Sequence, residues 1–303
     1  MVVTSIIPIM LTVGVGFVLE LRRQLDARVI ATLSLYVLLP CLIFNSLFTT
    51  TLTLGEALPI VYVLLLTTAV LWGLGTAVSR ASRMDQQEES CFLLTTMFMN
   101  AGNMGMPVAL YAFGERALDL AVIAVVAMNA VMNTVAVYYS SRHRGGHREA
   151  LRTVFSLPTI YAAVIALVLR TIVRPTLPGF LLDPIRMLGL ATIPISQLLL
   201  GIQLAKARAQ VGDHLSSAIA PNAIRLVLAP CVAFAFVSLF GVHGMTAKVA
   251  ILMCAMPSAV NVAIYTTEFG LQPRRIATAV FTSTLASFVT ISGVLVLLAG
   301  WRG

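Results

Sequence analysis

The 303-residue chain is 59% hydrophobic and 11% charged, and its formal net charge is +8. Soluble domains carry about a quarter charged residues, so this composition excludes a water-soluble surface. The Lys and Arg residues form short clusters between apolar runs, which favours orienting charges in membrane loops over a nucleic-acid partner. The four cysteines stand alone in apolar runs without a CxxC spacing, which indicates neither a disulfide framework nor a zinc site.

Apolar runs long enough to cross a bilayer as helices follow one another along the whole chain. They cover residues 2–19, 29–48, 57–79, 90–112, 117–139, 153–172, 187–205, 222–242, 246–267 and 276–299. The first run lacks a basic n-region and a cleavage site, so it is interpreted as a span and not as a signal peptide. The sequence therefore predicts an all-α integral membrane protein with ten transmembrane helices.

The basic residues of the loops predict the orientation of the chain. With the N-terminus outside, the cytoplasmic loops hold 14 Lys and Arg residues, Arg225 among them, and the outer loops hold six. Short cytoplasmic loops carry the basic excess in membrane proteins. We therefore expect a multi-pass protein of the inner (plasma) membrane with both termini outside.

A basic loop at residues 140–152 separates residues 1–139 from residues 153–303, and each part holds five predicted spans. Because five is odd, a repeated second half must insert upside down relative to the first, as in many secondary transporters. A Phe-Gly pair closes the fourth span of each half, which favours duplication. The chain is therefore predicted to consist of two inverted five-helix repeats.

Two spans carry helix-breaking residues at corresponding places in the two halves. The fourth contains NAGNMGMP, residues 100–107, and we predict a break near Gly105, before Pro107. The ninth contains MPSAVN, where Pro257 is followed by Asn261. Paired interrupted segments are the best sequence indication of a transport site.

Carboxamides beside such breaks favour an anionic ligand. Half-helix N-termini attract anions, and Asn100, Asn103 and Asn261 can donate hydrogen bonds to a carboxylate. Asn129 and Asn133 lie one turn apart on the fifth span and are candidates to line the substrate path. The alternative is that these carboxamides only hold helices together.

The acidic residues lie near the ends of the predicted spans. Asp119 and Glu268 are candidates for coupling to H⁺, although solvated helix-end carboxylates are the plainer interpretation. Asn45, Gln197 and Gln203, on the second spans of the two halves, could coordinate Na⁺ or form interhelical hydrogen bonds. The coupling ion, H⁺ or Na⁺, stays open.

Other kinds of site have little support. His143 and His147 flank two glycines in the basic loop, which favours a solvated loop near anionic lipid over a metal site. No Ser-His-Asp set, HExxH motif or acid pair can be assembled, so we expect no enzyme, no metal and no cofactor.

Three segments carry a family resemblance: NAGNMGMPVALYAFGERALDLA (100–121), IPISQLLLGIQLA (193–205) and MPSAVNVAIYTTEFGLQPRRIATAVFTSTLASFVT (256–290). They resemble the auxin efflux carrier family of bacterial permeases, relatives of the plant PIN auxin transporters. The resemblance covers essentially the whole chain. The sequence departs from the plant carriers in its short central loop and in having no Lys on the fifth span.

The resemblance implies a fold like that of bile-acid/sodium symporters, in which the fourth and ninth helices break and cross. It also implies transport of a carboxylate beside that crossover, and a homodimer. Asn100 would be the crossover asparagine, Gly105 and Pro107 the first break, and Pro257 the second. We expect a secondary carrier for a small mono- or dicarboxylate; the alternative is a sensor or lipid-binding protein of the same fold that does not transport.

Overall fold

The computed structural model describes residues 2–141, 158–172, 177–212, 215–262 and 272–301. We number the helices by the predicted span that they occupy. They are α1 (Val2–Arg23), α2 (Ala27–Thr49), α3 (Leu54–Ala81), α4a (Gln86–Met97), α4b (Met106–Phe113), α5 (Glu115–Ser141), α6 (Pro158–Ile172), α7 (Gly179–Arg208), α8 (Leu215–Leu239), α9 (Gly244–Cys254) and α10 (Pro273–Gly300).

All regular elements of the described residues are helices, which confirms an all-α membrane protein. Helices α1, α2, α3, α5, α7, α8 and α10 contain seven stretches long and apolar enough to cross a bilayer, whereas α6 and α9 are shorter. Large apolar side chains such as Leu11 and Val289 are 66% and 76% exposed, as expected of a surface that faces lipid. Ten complete membrane crossings remain a prediction.

Three prolines of the described helices are each preceded by a π-helical turn. The turns are Ser34–Leu38, Ala101–Gly105 and Ile224–Leu228, and they come just before Pro40, Pro107 and Pro230. A proline has no N–H to donate to the preceding turn, and one extra residue in that turn accommodates the lost bond. Each proline thus alters a helix locally without ending it in solvent.

The helices pack in two groups. The first, called the four-helix group, contains α1, α2, α6 and α7; the second, called the interrupted-helix group, contains α3, α4a, α4b, α5, α8, α9 and α10. Each group draws helices from both predicted repeats. The groups meet where α7 contacts α10 and the Ala101–Gly105 turn, where α1 contacts α4b, and where α2 contacts α5.

Glycines set the close packing inside the four-helix group. A Cβ on Gly201 would overlap the backbone carbonyl of Val13, and one on Gly16 would overlap that of Leu198. A Cβ on Gly189 would lie 2.9 Å from the Cα of Leu42. Without side chains at these positions α7 approaches α1 and α2 backbone to backbone, as small residues allow in membrane bundles.

The first two residues of the predicted basic loop, 140–152, belong to α5, which continues to Ser141. The rest of that loop, with His143 and His147, lies outside the described residues.

Candidate substrate site at two interrupted helices

The two interrupted segments meet and pair through their backbones. After α4a ends at Met97 and α9 ends at Cys254, Met99 and Ser258 form an antiparallel bridge. Asn100 N–H donates to the carbonyl of Pro257 at 2.7 Å, and Ala259 N–H donates to the carbonyl of Phe98 at 2.9 Å. Residues from the two predicted halves thus satisfy one another's backbone groups, which nonhelical chain at membrane depth requires.

Asn100 lies at the centre of this contact and is 5% exposed. Its Oδ1 accepts a hydrogen bond from Asn103 N–H at 3.3 Å, and its backbone carbonyl accepts one from Gly105 N–H at 3.0 Å. Asn100 therefore caps the turn that starts the second part of the span. Its Nδ2 is buried and has no hydrogen-bond partner among the described residues, and such a donor calls for a ligand or a water.

The first interruption begins earlier than the sequence indicated. We predicted a break near Gly105, but regular helix ends at Met97, and Pro107 follows the π-helical turn, which accommodates its missing N–H. Gly105 instead permits close packing. A Cβ there would lie 2.9 Å from the Sδ and Cε atoms of Met253, near the end of α9.

Ser258 ties the second interruption to its neighbours. Its Oγ donates to the carbonyl of Thr95 at 2.7 Å, and its backbone N–H donates to Ser283 Oγ at 3.3 Å. Thr95 also lines a cavity of about 140 Å³ between α4a, α8 and α10. The paired segments therefore lie beside a small cavity on the side of α4a.

Arg225 joins the ends of α4a and α9. Its guanidinium donates to the carbonyls of Thr96 at 3.3 Å, Met97 at 3.0 Å and Cys254 at 2.5 Å. The side chain is 1% exposed, and no ion pair of the described residues includes it. A cation is favourable at helix C-termini, where unpaired carbonyls carry partial negative charge.

Arg225 was wrongly assigned to a loop in the sequence analysis. We counted it among the loop cations, but it lies inside α8, in the π-helical turn before Pro230. The signal was present, since residue 225 falls within the apolar run predicted at 222–242, and an ionisable residue inside a span indicates function by default.

The remaining predicted site residues are distributed as follows. Asn133 is buried, but its Nδ2 donates to the carbonyl of Asn129 on the same helix at 2.7 Å. Asn103 lies in the turn capped by Asn100, and Asn261 is half-buried three residues after Ser258. The turn places Asn103 beside the paired segments, while roles for Asn129, Asn133 and Asn261 in substrate binding stay predictions.

The predicted coupling residues divide between two places. Asn45 and Asp119 line one cavity of about 350 Å³, which none of the paired-segment residues lines. Gln197 is 1% exposed on α7, the helix that packs against the Ala101–Gly105 turn. Gln203, six residues later on the same helix, is half-buried. Glu268 lies outside the described residues.

Comparison with known proteins identifies the family. A family model described as membrane transport protein matches residues 1–151 and 146–295. An uncharacterized transporter from Methanocaldococcus jannaschii is 26% identical over 212 residues, 69% of this chain and 67% of that protein. Another, from Methanothermobacter thermautotrophicus, is 25% identical over 295 residues, 95% of each chain. The expected resemblance is thus confirmed, and the chain belongs to the membrane transport protein family, that of the auxin efflux carriers.

Proposed function

We propose that this protein is a secondary carrier that moves a small organic anion, a mono- or dicarboxylate, across the inner membrane. The anion binds at the paired segments, which act as the crossover of two broken helices in an inverted repeat. The observation that carries the proposal is the buried, unpartnered Nδ2 of Asn100 at the point where the two interruptions meet.

The charges around the paired segments favour an anion. A helix end carries roughly half an elementary charge, negative at the C-terminus and positive at the N-terminus. The full positive charge of Arg225 therefore offsets the C-terminal ends of both α4a and α9. No Asp or Glu lies between residues 98 and 113 to offset the positive N-terminal end of the α4b segment. The local excess is positive, and a carboxylate near Asn100 Nδ2 would neutralise it.

Alternating access would come from movement of the interrupted-helix group against the four-helix group. The paired backbones, Ser258 and Arg225 all hold the interruptions within one group, so the anion site would move as a unit. The contacts between the groups include that of α7 with the Ala101–Gly105 turn, so the anion site lies next to the boundary along which the groups would move. Rocking of one bundle against another around a site near the bilayer midplane is a common transport mechanism.

The proposed orientation, with both termini outside, keeps its basis after Arg225 is removed from the loop cations. Thirteen basic residues still lie on the predicted cytoplasmic side against six on the other. The homodimer implied by the family stays a proposal as well.

The test is thermal unfolding of the purified carrier against a panel of mono- and dicarboxylates, followed by flux in proteoliposomes. A ligand that binds only the folded protein raises its melting temperature. We expect at least one carboxylate to stabilise the wild type and not Asn100→Ala. Asn222→Ala is the matched control, because it also removes a carboxamide, one that donates to Thr282 Oγ1 at 2.8 Å on another helix.

Three results would count against the proposal. Equal stabilisation of the wild type and Asn100→Ala would show that the anion binds at another site. Stabilisation only by amines or lipids would exclude an anion carrier. Binding of a carboxylate without flux in proteoliposomes would favour a sensor of the same fold.

A further inference from the structure

A polar cavity lies away from the paired segments, at the face of the protein that carries the N-terminus. It has a volume of about 350 Å³ and forms where the end of α2 and Leu190 of α7 face the start of α5. Its polar lining includes Asn45, Ser46, Thr49, Thr50 and Asp119. The cavity thus lies on the boundary between the four-helix group and the interrupted-helix group.

Oxygen atoms predominate among the polar groups of this cavity. Asn45 Oδ1 is buried and has no hydrogen-bond partner in the part of the chain that the structure describes. Asp119 Oδ1 accepts a hydrogen bond from Ser46 Oγ, while its second carboxylate oxygen has no donor among the described residues. The hydroxyl of Thr49 donates to the carbonyl of Asn45 at 2.7 Å, which leaves its oxygen lone pairs free. Carboxylate, amide and hydroxyl oxygens are the ligands of hard cations.

The charge of the cavity also favours a cation. The guanidinium of Arg116, which lines the cavity, already pairs with Glu56 on α3. Glu115 and Asp119 have no cationic partner among the described ion pairs. The cavity therefore carries net negative charge, the opposite of the charge at the paired segments.

We propose that this cavity binds a sodium ion through Asp119 and Asn45, with hydroxyl oxygens of α2 completing its coordination, and that this ion is coupled to transport. The coupling, though not the binding, rests on the proposed function. Asn45 belongs to the four-helix group and Asp119 to the interrupted-helix group. An ion held by both would favour the conformation in which the two groups are joined at this face, and a ligand shifts a conformational equilibrium only through such differential affinity.

The test measures sodium binding in the absence of any organic anion. The full-length protein in detergent is unfolded thermally while NaCl replaces choline chloride at constant ionic strength. Stabilisation should rise with the logarithm of the sodium concentration above the dissociation constant. We expect Asp119→Asn to abolish the sodium-dependent shift and Asn45→Leu to weaken sodium binding at least about tenfold, since each removes an oxygen ligand. Asp183→Asn is the matched control, because it makes the same substitution at an exposed aspartate that does not line the cavity, and it should leave the shift intact.

Each outcome decides the proposal. The proposal is overturned if choline gives the same shift as sodium or if the shift survives in Asp119→Asn. It is also overturned if the control Asp183→Asn abolishes the shift as fully as Asp119→Asn does. The proposal also fails if low pH, and not sodium, stabilises the protein and Asp119→Asn removes that stabilisation. The cavity would then bind a proton. If Asp119→Asn does not fold, Asn45→Leu decides alone: unchanged sodium affinity refutes the site. Because no organic anion is present, a negative result leaves the anion carrier standing, and failure of the Asn100→Ala test leaves the sodium site standing.

Discussion

Arg225 holds the ends of two helices together, and its replacement should sharply lower the stability of the protein. In Arg225→Met the carbonyls of Thr96, Met97 and Cys254 lose their donors. Hydrogen bonds to charged groups contribute about 1.5–3 kcal/mol each, so three amount to about 4.5–9 kcal/mol. Removal of a buried charge relieves several kcal/mol of desolvation cost, which offsets part of this. We expect a net loss of about 2–5 kcal/mol in the free energy of unfolding.

The loss can be measured by thermal unfolding in detergent, followed through the fluorescence of Trp72 and Trp301. At roughly 2–4 °C per kcal/mol, the melting temperature of Arg225→Met should fall by about 4–20 °C. Arg225→Lys keeps the charge but replaces the planar fork by a compact ammonium group, which can reach fewer of the three carbonyls at once. Its melting temperature should fall by about half as much.

Arg275→Met is the matched control, since Arg275 pairs with Glu88 at 2.6 Å but both side chains are 27% exposed. An exposed ion pair contributes less than about 1 kcal/mol, so this variant should melt within a few degrees of the wild type. The reasoning fails if Arg225→Met has the same melting temperature as the wild type. It also fails if Arg225→Lys is as unstable as Arg225→Met, because charge would then have no part in the effect.

Three further substitutions test other contacts. Gly201→Leu should prevent folding or lower the melting temperature by more than about 5 °C, because its side chain would overlap the backbone of α1; size-exclusion chromatography of the solubilised protein detects this. Ser258→Ala removes the hydrogen bond to the Thr95 carbonyl and should cost about 1 kcal/mol, measured as a lower melting temperature. Glu56→Gln removes only the exposed ion pair with Arg116, because glutamine can still cap α3, so the melting temperature should change by less than about 4 °C.

The matched control for the first substitution is Gly73→Leu, the same change at a helical glycine with no atom within 4 Å of a built Cβ. Equal damage from both glycine substitutions would show that leucine itself, and not contact with α1, is responsible. A Ser258→Ala protein as stable as the wild type would mean that the backbone pairing alone holds the interruptions.

The sequence predicted the kind of fold well because the signals involved are local. Runs of apolar residues define spans, and the prolines and glycines of NAGNMGMP and MPSAVN define interruptions. The exact end of α4a could not be predicted, because it depends on backbone pairing with residues more than 150 positions away, such as Asn100 with Pro257. The local sequence around residue 97 does not indicate which distant segment will pair with it.

Residues that act across helices were harder to place. The sequence identified Asn45 and Asp119 separately, but the cavity that joins them depends on the rotation of α2 and α5 about their axes, which spacing does not fix. Arg225 was assigned to a loop because loop charges are common and buried cations without a carboxylate are rare. The carbonyls that stabilise it come from two other helices and become visible only once the helices are packed.

The two proposed sites carry opposite charge and differ in the helices that form them, and this difference determines how they would be coupled. Arg225 and its three carbonyl partners all belong to the interrupted-helix group, so the anion site can move intact. The hydrogen bond from Ser46 to Asp119 joins the two groups. Movement of one group away from the other would therefore separate Asp119 from the cation ligands on α2. An ion bound there would be released as the groups separate, whereas the anion would stay bound. Sodium at this face would then bias the conformational equilibrium without either site contacting the other, because such a bias requires only that the ion bind one conformation better.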